Sequence, residues 1–130
     1  MNDKKRILFV DDDDLVLSCF QRILGRRFSL DVAANATEAL LAIEANGPYS
    51  IVVTDMRMPG MSGLELLTVA KQASPETTGV LMSGNPELDD LDQAVSGGVI
   101  YKVLQKPFPS ETLIALLEEI LTQQDIALMA

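Results

Sequence analysis

Three carboxylates (Asp11, Asp12 and Asp55), the hydroxyl of Ser83 and the amine of Lys106 are the side chains here whose types and spacing suit one piece of chemistry. Three carboxylates brought together repel, and cannot all stay ionised and unpaired in a partly buried cleft. Raised pKa values or a bound cation relieve that conflict. Oxygen ligands without Cys or His select a hard ion, Mg²⁺ or Mn²⁺, over zinc. Mg²⁺ keeps several waters and takes one or two carboxylates plus phosphate oxygens, which such a cluster can offer. Lys106 adds a mobile positive charge, able to pair with Asp55 before reaction and with a phosphoryl oxygen after it. Ser83 supplies a hydroxyl donor for another oxygen, and backbone amides after Asp55 supply more. Phosphoryl transfer to a carboxylate needs an in-line nucleophile, a metal bridging oxygens and donors for equatorial charge. Asp55 is the expected nucleophile, because it follows the apolar run Ile51-Val52-Val53-Thr54 directly and precedes a loop carrying Pro59 and Gly60.

These residues do chemistry together only if the chain brings them together, and its hydrophobic pattern says how. Ile7-Leu8-Phe9-Val10 is apolar without alternation, as in a buried strand of a parallel sheet. From Leu15 the apolar residues Leu15, Cys19 and Ile23, with Val16, Phe20 and Leu24 beside them, fall at helical spacing, with Gly25 as the stop. Cys19 is thereby expected in the core. A second strand is expected over 28–33. Asn35 with Glu38 resembles a capping box opening a helix that Gly47-Pro48 ends. After the third strand, Ser62 with Glu65 repeats that signature for a helix through Leu66, Leu67 and Ala70. Val80-Leu81-Met82 reads as a fourth strand, 88–95 as a fourth helix ended by Gly97-Gly98, and 99–104 as a fifth strand. Ser110 is expected to cap a fifth helix with Leu113, Leu117 and Leu121 on its apolar face, flanked by Ile114 and Ile120.

Alternating strands and helices imply an α/β fold: a parallel five-stranded sheet with helices on both faces. At this length the flavodoxin-like doubly wound (βα)5 sandwich, strand order 2-1-3-4-5, is the expected architecture. Ligands in such sheets bind at the carboxyl ends of the strands. Asp11-Asp12, Asp55, Ser83 and Lys106-Pro107 all stand there, so the strand pattern gathers the reactive set on one edge. One domain is expected over 1–124, with 125–130 as a tail or the start of a linker.

Composition narrows the function. The chain has no histidine, which removes Ser-His-Asp and Cys-His catalysis, and its single cysteine cannot form an internal disulfide. A net charge of −9 argues against direct nucleic-acid binding by this chain. No apolar run approaches the roughly 20 residues of a membrane span, and the start is too short in apolar residues for a signal peptide. A cytoplasmic location is the simplest expectation.

The segments ILFVDD at 7–12, VVTDMRMPGMSGLELL at 52–67, VLMSG at 80–84 and KPF at 106–108, in this order and spacing, resemble the receiver domains of bacterial two-component response regulators. The similarity runs from Arg6 to about Thr122. It implies a signalling switch rather than a turnover enzyme, limited to self-phosphorylation from a phosphodonor and slow autodephosphorylation. Asp55 matches the phosphoacceptor, Asp12 the direct Mg²⁺ ligand, Asp11 its partner, and the backbone carbonyl of Arg57 a third protein ligand. Ser83 matches the switch hydroxyl and Lys106 the lysine of the motif, with a Lys106-Pro107 bond expected cis. The implied partners are a sensor histidine kinase or histidine phosphotransfer protein as donor, and a downstream effector protein or an output domain beyond this sequence. The expected readout face comprises the fourth helix, fifth strand and fifth helix.

The sequence departs from the family at Val103, where receivers often carry an aromatic switch residue. Tyr101 stands two residues earlier and so is expected on the same face, about 6–7 Å further along the strand. Arg57 and Asn85, two residues beyond Asp55 and Ser83, flank the site. Three rivals are weighed against this reading. A phosphatase of the haloacid dehalogenase type wants a second Asp where Arg57 stands. A flavin carrier wants a phosphate-binding loop in place of the acidic strand end. A degenerate receiver that binds partners without phosphorylation is opposed by the intact reactive set. For Asp13 and Asp14, capping a helix is the expected role rather than metal binding.

Overall fold

A computed structural model describes residues 5–129. Five parallel strands form one sheet in the order β2-β1-β3-β4-β5. The strands are β1 (Arg6–Val10), β2 (Ser29–Ala33), β3 (Ile51–Asp55), β4 (Thr78–Ser83) and β5 (Lys102–Gln105). The helices are α1 (Asp14–Leu24), α2 (Ala36–Asn46), α3 (Gly63–Ala73), α4 (Pro86–Asp89), α5 (Asp92–Ser96) and α6 (Ser110–Met129).

Strand alternation divides the core into two layers. Ile7, Phe9, Ile51, Val53, Val80 and Met82 face α1 and α6, where they meet Leu17, Leu24, Leu113 and Leu117. Leu8, Val10, Val52 and Leu81 face the other way, onto Ala39 of α2 and Leu66, Leu67 and Ala70 of α3. Both sheet faces are covered, which is why the central strands read as unbroken apolar runs. The three-layer sandwich expected from the sequence is the one observed.

The starts of α1, α2 and α3 obey the sequence signals, whereas Ser110, expected as a cap, is instead the first residue of α6. Ser62 and Glu65 form the full capping box. At α2 the Asn35 side chain accepts from Glu38 N–H at 2.8 Å, but Glu38 reaches back one residue further, to the amide of Ala34 at 2.9 Å. Asp13 caps α1, accepting from the amides of Leu15 and Val16, and Asp14 lies in the first turn, as expected of both.

Three expectations need correction. Leu15 and Cys19 are exposed, Leu15 by 81%, and the inward face of α1 is instead Val16, Leu17, Phe20, Ile23 and Leu24. Two helical stripes one residue apart fit the same spacing, and the one that packs on the sheet is the one that turns inward. The fourth helix is not continuous over 88–95: it breaks into α4 and α5 at Asp90, whose φ of 49° is left-handed. Asp tolerates that conformation better than most residues, because its side chain can bond locally. The fifth strand begins at Lys102 rather than Val99, since the amides of Val99 and Ile100 turn back to Ala94 O at 3.0 and 3.1 Å. Ile100 is still buried in the core, which is what its apolar type signals.

Candidate functional site

The carboxyl edge of the sheet gathers the reactive residues, and backbone hydrogen bonds carry the sheet's alignment past the strand ends. Asp11 N–H donates to Ala33 O at 3.2 Å, Met56 N–H to Met82 O at 2.9 Å and Lys106 N–H to Ser83 O at 2.9 Å. Asp11, Asp55, Ser83 and Lys106 are thus each at most one step beyond a fixed strand position. The Lys106-Pro107 bond is cis, as expected. Phe108, two residues after the lysine, packs on Phe20 of α1 with ring centroids 6.1 Å apart. Phe20 in turn stacks on Phe9 of β1 at 5.0 Å, so an aromatic row ties the lysine's segment to the sheet.

Asp11, Asp12 and Asp55 each offer a carboxylate oxygen within 4.8 Å of the others. Asp11 is buried, 1% exposed, and is satisfied at both oxygens: one accepts from Asp13 N–H at 2.9 Å, the other from Lys106 Nζ at 3.1 Å. Asp12 is exposed and Asp55 half-buried. Lys106 Nζ also lies 3.2 Å from Asp55 Oδ1, so one amine bridges two of the three carboxylates. One positive charge among three negative ones leaves the cluster short of cation.

The protonation preferences reflect this. Burial pushes the Asp55 carboxyl up; Lys106 opposes the shift, while the charges of Asp11 and Asp12 add to it. Burial alone would pull Lys106 down, yet its hydrogen bond to Asp11 and the charges of Asp11 and Asp55 outweigh that and leave its pKa raised. The amine is therefore firmly protonated. The donor set, all oxygen, is that of a hard divalent cation and not of zinc.

The loop after Asp55 is built for close approach. Gly60 has a φ of 83° just after Pro59, a turn position that glycine occupies freely. Gly63, at the start of α3, lies so close to the Asp55 backbone that a Cβ there would overlap its carbonyl oxygen and carbon. Met58 is buried, and Met56 and Met61 pack on the α2–α3 layer, which anchors the loop as expected of these methionines. Sequence reasoning does not single out Gly63, although Met-Ser-Gly after a strand-end Asp is a visible signal for it.

Ser83 is 1% exposed. Its hydroxyl donates to Asp89 Oδ2 at 2.6 Å and accepts from Asn85 N–H at 3.1 Å. The other oxygen of Asp89 takes the Arg57 guanidinium at 2.5 Å. Asp89 is the residue that sequence reasoning misses. It stands among Glu87, Asp90 and Asp92, and nothing in that acidic stretch marks it out until the helix break at Asp90 turns it inward. Val103 packs on the same layer as Leu81, whereas Tyr101 precedes β5 and its hydroxyl donates to Glu119 of α6 at 2.9 Å. Strand alternation does not extend to Tyr101, so it does not share Val103's face by that rule.

The comparisons with known proteins agree with this geometry. The family described as response regulator receiver domain matches residues 7–118, and the chain belongs to that family. The hydrogenase transcriptional regulatory protein HoxA of Cupriavidus necator is 31% identical over 115 residues, 88% of this chain and 24% of its own length. The DNA-binding transcriptional regulator NtrC of Salmonella typhimurium is 34% identical over 110 residues, 84% of this chain and 23% of its own. The chain thus spans about a quarter of the length of these relatives. Among solved structures, a CheY-like response regulator receiver domain protein from Methanospirillum hungatei superposes with a TM-score of 0.87 at 29% identity, covering 96% of this chain and 99% of that one. The response regulator TrrA of Thermotoga maritima, solved in complex with Mg(2+)-BeF, gives 0.75 at 26% identity over 89% and 98% of the two chains. The chain is a signalling receiver domain of the two-component kind, and no helix among the described residues is long and apolar enough to cross a membrane.

Proposed function

We propose that the domain is switched by a phosphoryl group accepted on Asp55 in a reaction that requires Mg²⁺ or Mn²⁺. The observation that carries this reading is the charge imbalance at the sheet edge: three carboxylate oxygens within 4.8 Å of one another and a single protonated amine at 3.2 Å from Asp55. Asp11, Asp12, Asp55 and the backbone carbonyl of Arg57 would hold the cation, which when bound neutralises charge on the phosphoryl oxygens. The solved relative with Mg(2+)-BeF supports that choice of ion.

The chain's own residues do the rest. Asp55, ionised, attacks the phosphorus of a phosphohistidine on the donor protein; a carboxylate O–P bond forms, the N–P bond breaks, and the imidazole leaves. Lys106 exchanges its pairing with Asp55 for a phosphoryl oxygen while keeping Asp11, so it neither leaves the site nor loses its proton. Ser83 offers its hydroxyl to a second phosphoryl oxygen. The phosphoryl group shifts an existing equilibrium between two states of the domain, and hydrolysis of the acyl phosphate resets it.

The donor is a sensor histidine kinase or a histidine phosphotransfer protein, and the output is an effector protein or a further domain. The net charge of −9 favours protein over nucleic acid as the direct partner. A cytoplasmic setting suits such donors. Residues 1–124 are read as the receiver proper and 125–130 as tail or linker, with α6 continuing helically to Met129.

Intact-mass spectrometry with Mg²⁺ and acetyl phosphate tests this reading, run beside Asp55→Asn and an EDTA-treated sample. A single phosphoryl adduct, absent in both controls, is expected. An adduct that survives Asp55→Asn removes the assignment of the acceptor. No adduct with any small donor or with a phosphohistidine protein favours phosphate-independent binding instead.

A further inference from the structure

Asp89 holds the one hydroxyl that the phosphoryl group needs. Ser83 has a single hydroxyl hydrogen, and that hydrogen is committed to Asp89 Oδ2 at 2.6 Å. The Asp89 side chain is 3% exposed, and its second oxygen is occupied by Arg57, the residue two positions after Asp55. A carboxylate of α4 is therefore wedged between the residues flanking the acceptor, and it bonds the groups that a phosphoryl group on Asp55 would attract. A phosphoryl dianion and a buried carboxylate cannot share those donors, because both are acceptors and both are negative.

What carries Asp89 is loosely built. α4 is one turn long and has no side-chain cap bond, and apart from the Asp89 side chain it puts nothing into the core. It ends at left-handed Asp90, and the next residue, Leu91, is anchored in the core at 4% exposure. On the other side the chain leaves the sheet at Ser83. A short segment between two fixed points, with few buried apolar contacts, is the kind that opens at little cost.

We infer that Asp89 is a positioning residue that latches the unphosphorylated domain: its carboxylate withholds the Ser83 hydroxyl, and its release frees the segment 85–90. This rests on the reading of Asp55 as phosphoacceptor. The exchange is a competition between two anions for one hydroxyl. Removing the internal competitor favours the phosphorylated state by the worth of one charge-assisted hydrogen bond, about tenfold in equilibrium.

The test is a double-mutant cycle on the lifetime and Mg²⁺-dependent occupancy of the phosphoryl adduct, using acetyl phosphate as donor. Asp89→Asn removes the charge with least change of shape, and Asp89→Ala removes the acceptor. Both are expected to raise occupancy at limiting donor, Asp89→Ala by about tenfold, and the gain is expected to vanish in a Ser83→Ala background. A role for Asp89 in mere folding would not be erased by removing Ser83. Unchanged occupancy, or an equal gain with and without Ser83, overturns the latch.

A second measurement reads the latch without any phosphoryl group. In amide spectra of the unphosphorylated protein, Asp89→Asn and Ser83→Ala are expected to shift the same resonances across 84–92. Shifts confined to each mutated residue's own neighbours overturn the latch. If the wild-type protein takes no phosphoryl group while the two variants shift that common set, the reading of Asp55 falls and the latch stands as a contact without its trigger.

Discussion

The two edges of the sheet are built on opposite terms. At the carboxyl edge, charges outnumber partners: of the clustered Asp11, Asp12 and Asp55 only Asp11 and Asp55 reach the one lysine, and a fourth acid, Asp89, holds the serine. At the amino edge the described polar groups are linked by hydrogen bonds. Tyr49 OH donates to Asp31 Oδ2 at 2.6 Å, and Thr77 Oγ1 to Tyr49 O at 2.7 Å. Lys71 Nζ donates to Thr77 O at 2.9 Å, and Gln124 Nε2 of α6 to Ser50 O and Thr78 Oγ1 at 3.0 Å each. One edge stores an electrostatic conflict that a cation or a phosphoryl group can resolve in more than one way. The other is closed, so that the conflict can change without loosening the sheet. A switch needs a rigid end against which to work.

If that division is right, damage to the two edges should separate chemistry from stability. Asp12→Ala is expected to abolish Mg²⁺-dependent phosphorylation while leaving the thermal midpoint at or above that of the wild type, since an exposed member of a repelling trio is removed. Tyr49→Ala is expected to do the reverse. Tyr49 is 2% exposed, and truncating a buried ring costs about 3–5 kcal/mol. The folded fraction of that variant should still phosphorylate. Mass spectrometry and thermal unfolding on both proteins check the pair. A Tyr49→Ala protein that unfolds like wild type, or an Asp12→Ala protein that phosphorylates normally, would contradict the division of labour between the edges.

Gly63 lies where the two requirements meet. A Cβ there overlaps the Asp55 backbone and comes within 3.0 Å of Leu81 Cδ1. Gly63→Ala is expected to cost about 1–3 kcal/mol, as overpacking does, and to slow phosphorylation because the relief must move Asp55. Urea midpoints and adduct formation rates measure the two parts. A variant that loses stability but keeps its rate would show that the loop yields and the strand end does not.

How much of the molecule is legible in its sequence depends on how local each signal is. The five strands, the capping box at Ser62 and the placement of Asp11, Asp55, Ser83 and Lys106 at one edge rest on apolar runs and short spacings. These survive folding because central strands have no alternative burial. The face of α1 is misjudged because Leu15 and Cys19 form a stripe as regular as the true one, and only packing against the sheet separates the two. The break at Asp90 escapes notice because helix propensity over 88–95 is ordinary, and a left-handed Asp leaves no mark in composition. Asp89 is hidden for the same reason. Its role depends on a chain reversal, and a fourth acid in an acidic stretch looks like a solvated surface.

At the carboxyl edge, pH should widen the contrast. Asp55 has its pKa raised in the folded state by burial, with Lys106 opposing and Asp11 and Asp12 adding. A raised carboxyl contributes stability that is fully present below its unfolded value, near 3.8, and is lost as pH rises through the folded value. The wild type loses it progressively as pH rises, while Asn at this position never carries the charge. Asp55→Asn is therefore expected to raise the metal-free thermal midpoint at pH 7, with the gain shrinking as pH falls. A gain that is the same at pH 4 and pH 7 would mean that packing, not charge, is responsible.

The smallest effect belongs to the amino edge and has the opposite setting. Burial, then the hydrogen bond to Asp31 and its charge, push the Tyr49 phenol from 10.0 up to about 12. Its contribution is fully present below about pH 10 and is lost as pH rises through about 12. Tyr49→Phe removes the hydroxyl, costing about 1 kcal/mol at neutral pH for the lost hydrogen bond. The stability difference between wild type and Tyr49→Phe should then hold constant to pH 10 and narrow above it, since only the wild type has a phenol there to ionise. Lysines titrate in both proteins and cancel from the difference. The other tyrosine, Tyr101, is raised mainly by its hydrogen bond to Glu119 but stands exposed, so it ionises with little consequence for the core. Tyrosinate absorbance during a pH titration, in the wild type and in Tyr101→Phe, assigns the later of the two steps. If that step belongs to Tyr101, or if the stability difference stays flat through pH 12, the amino edge is held by packing alone and the hydrogen bond to Asp31 is incidental to it.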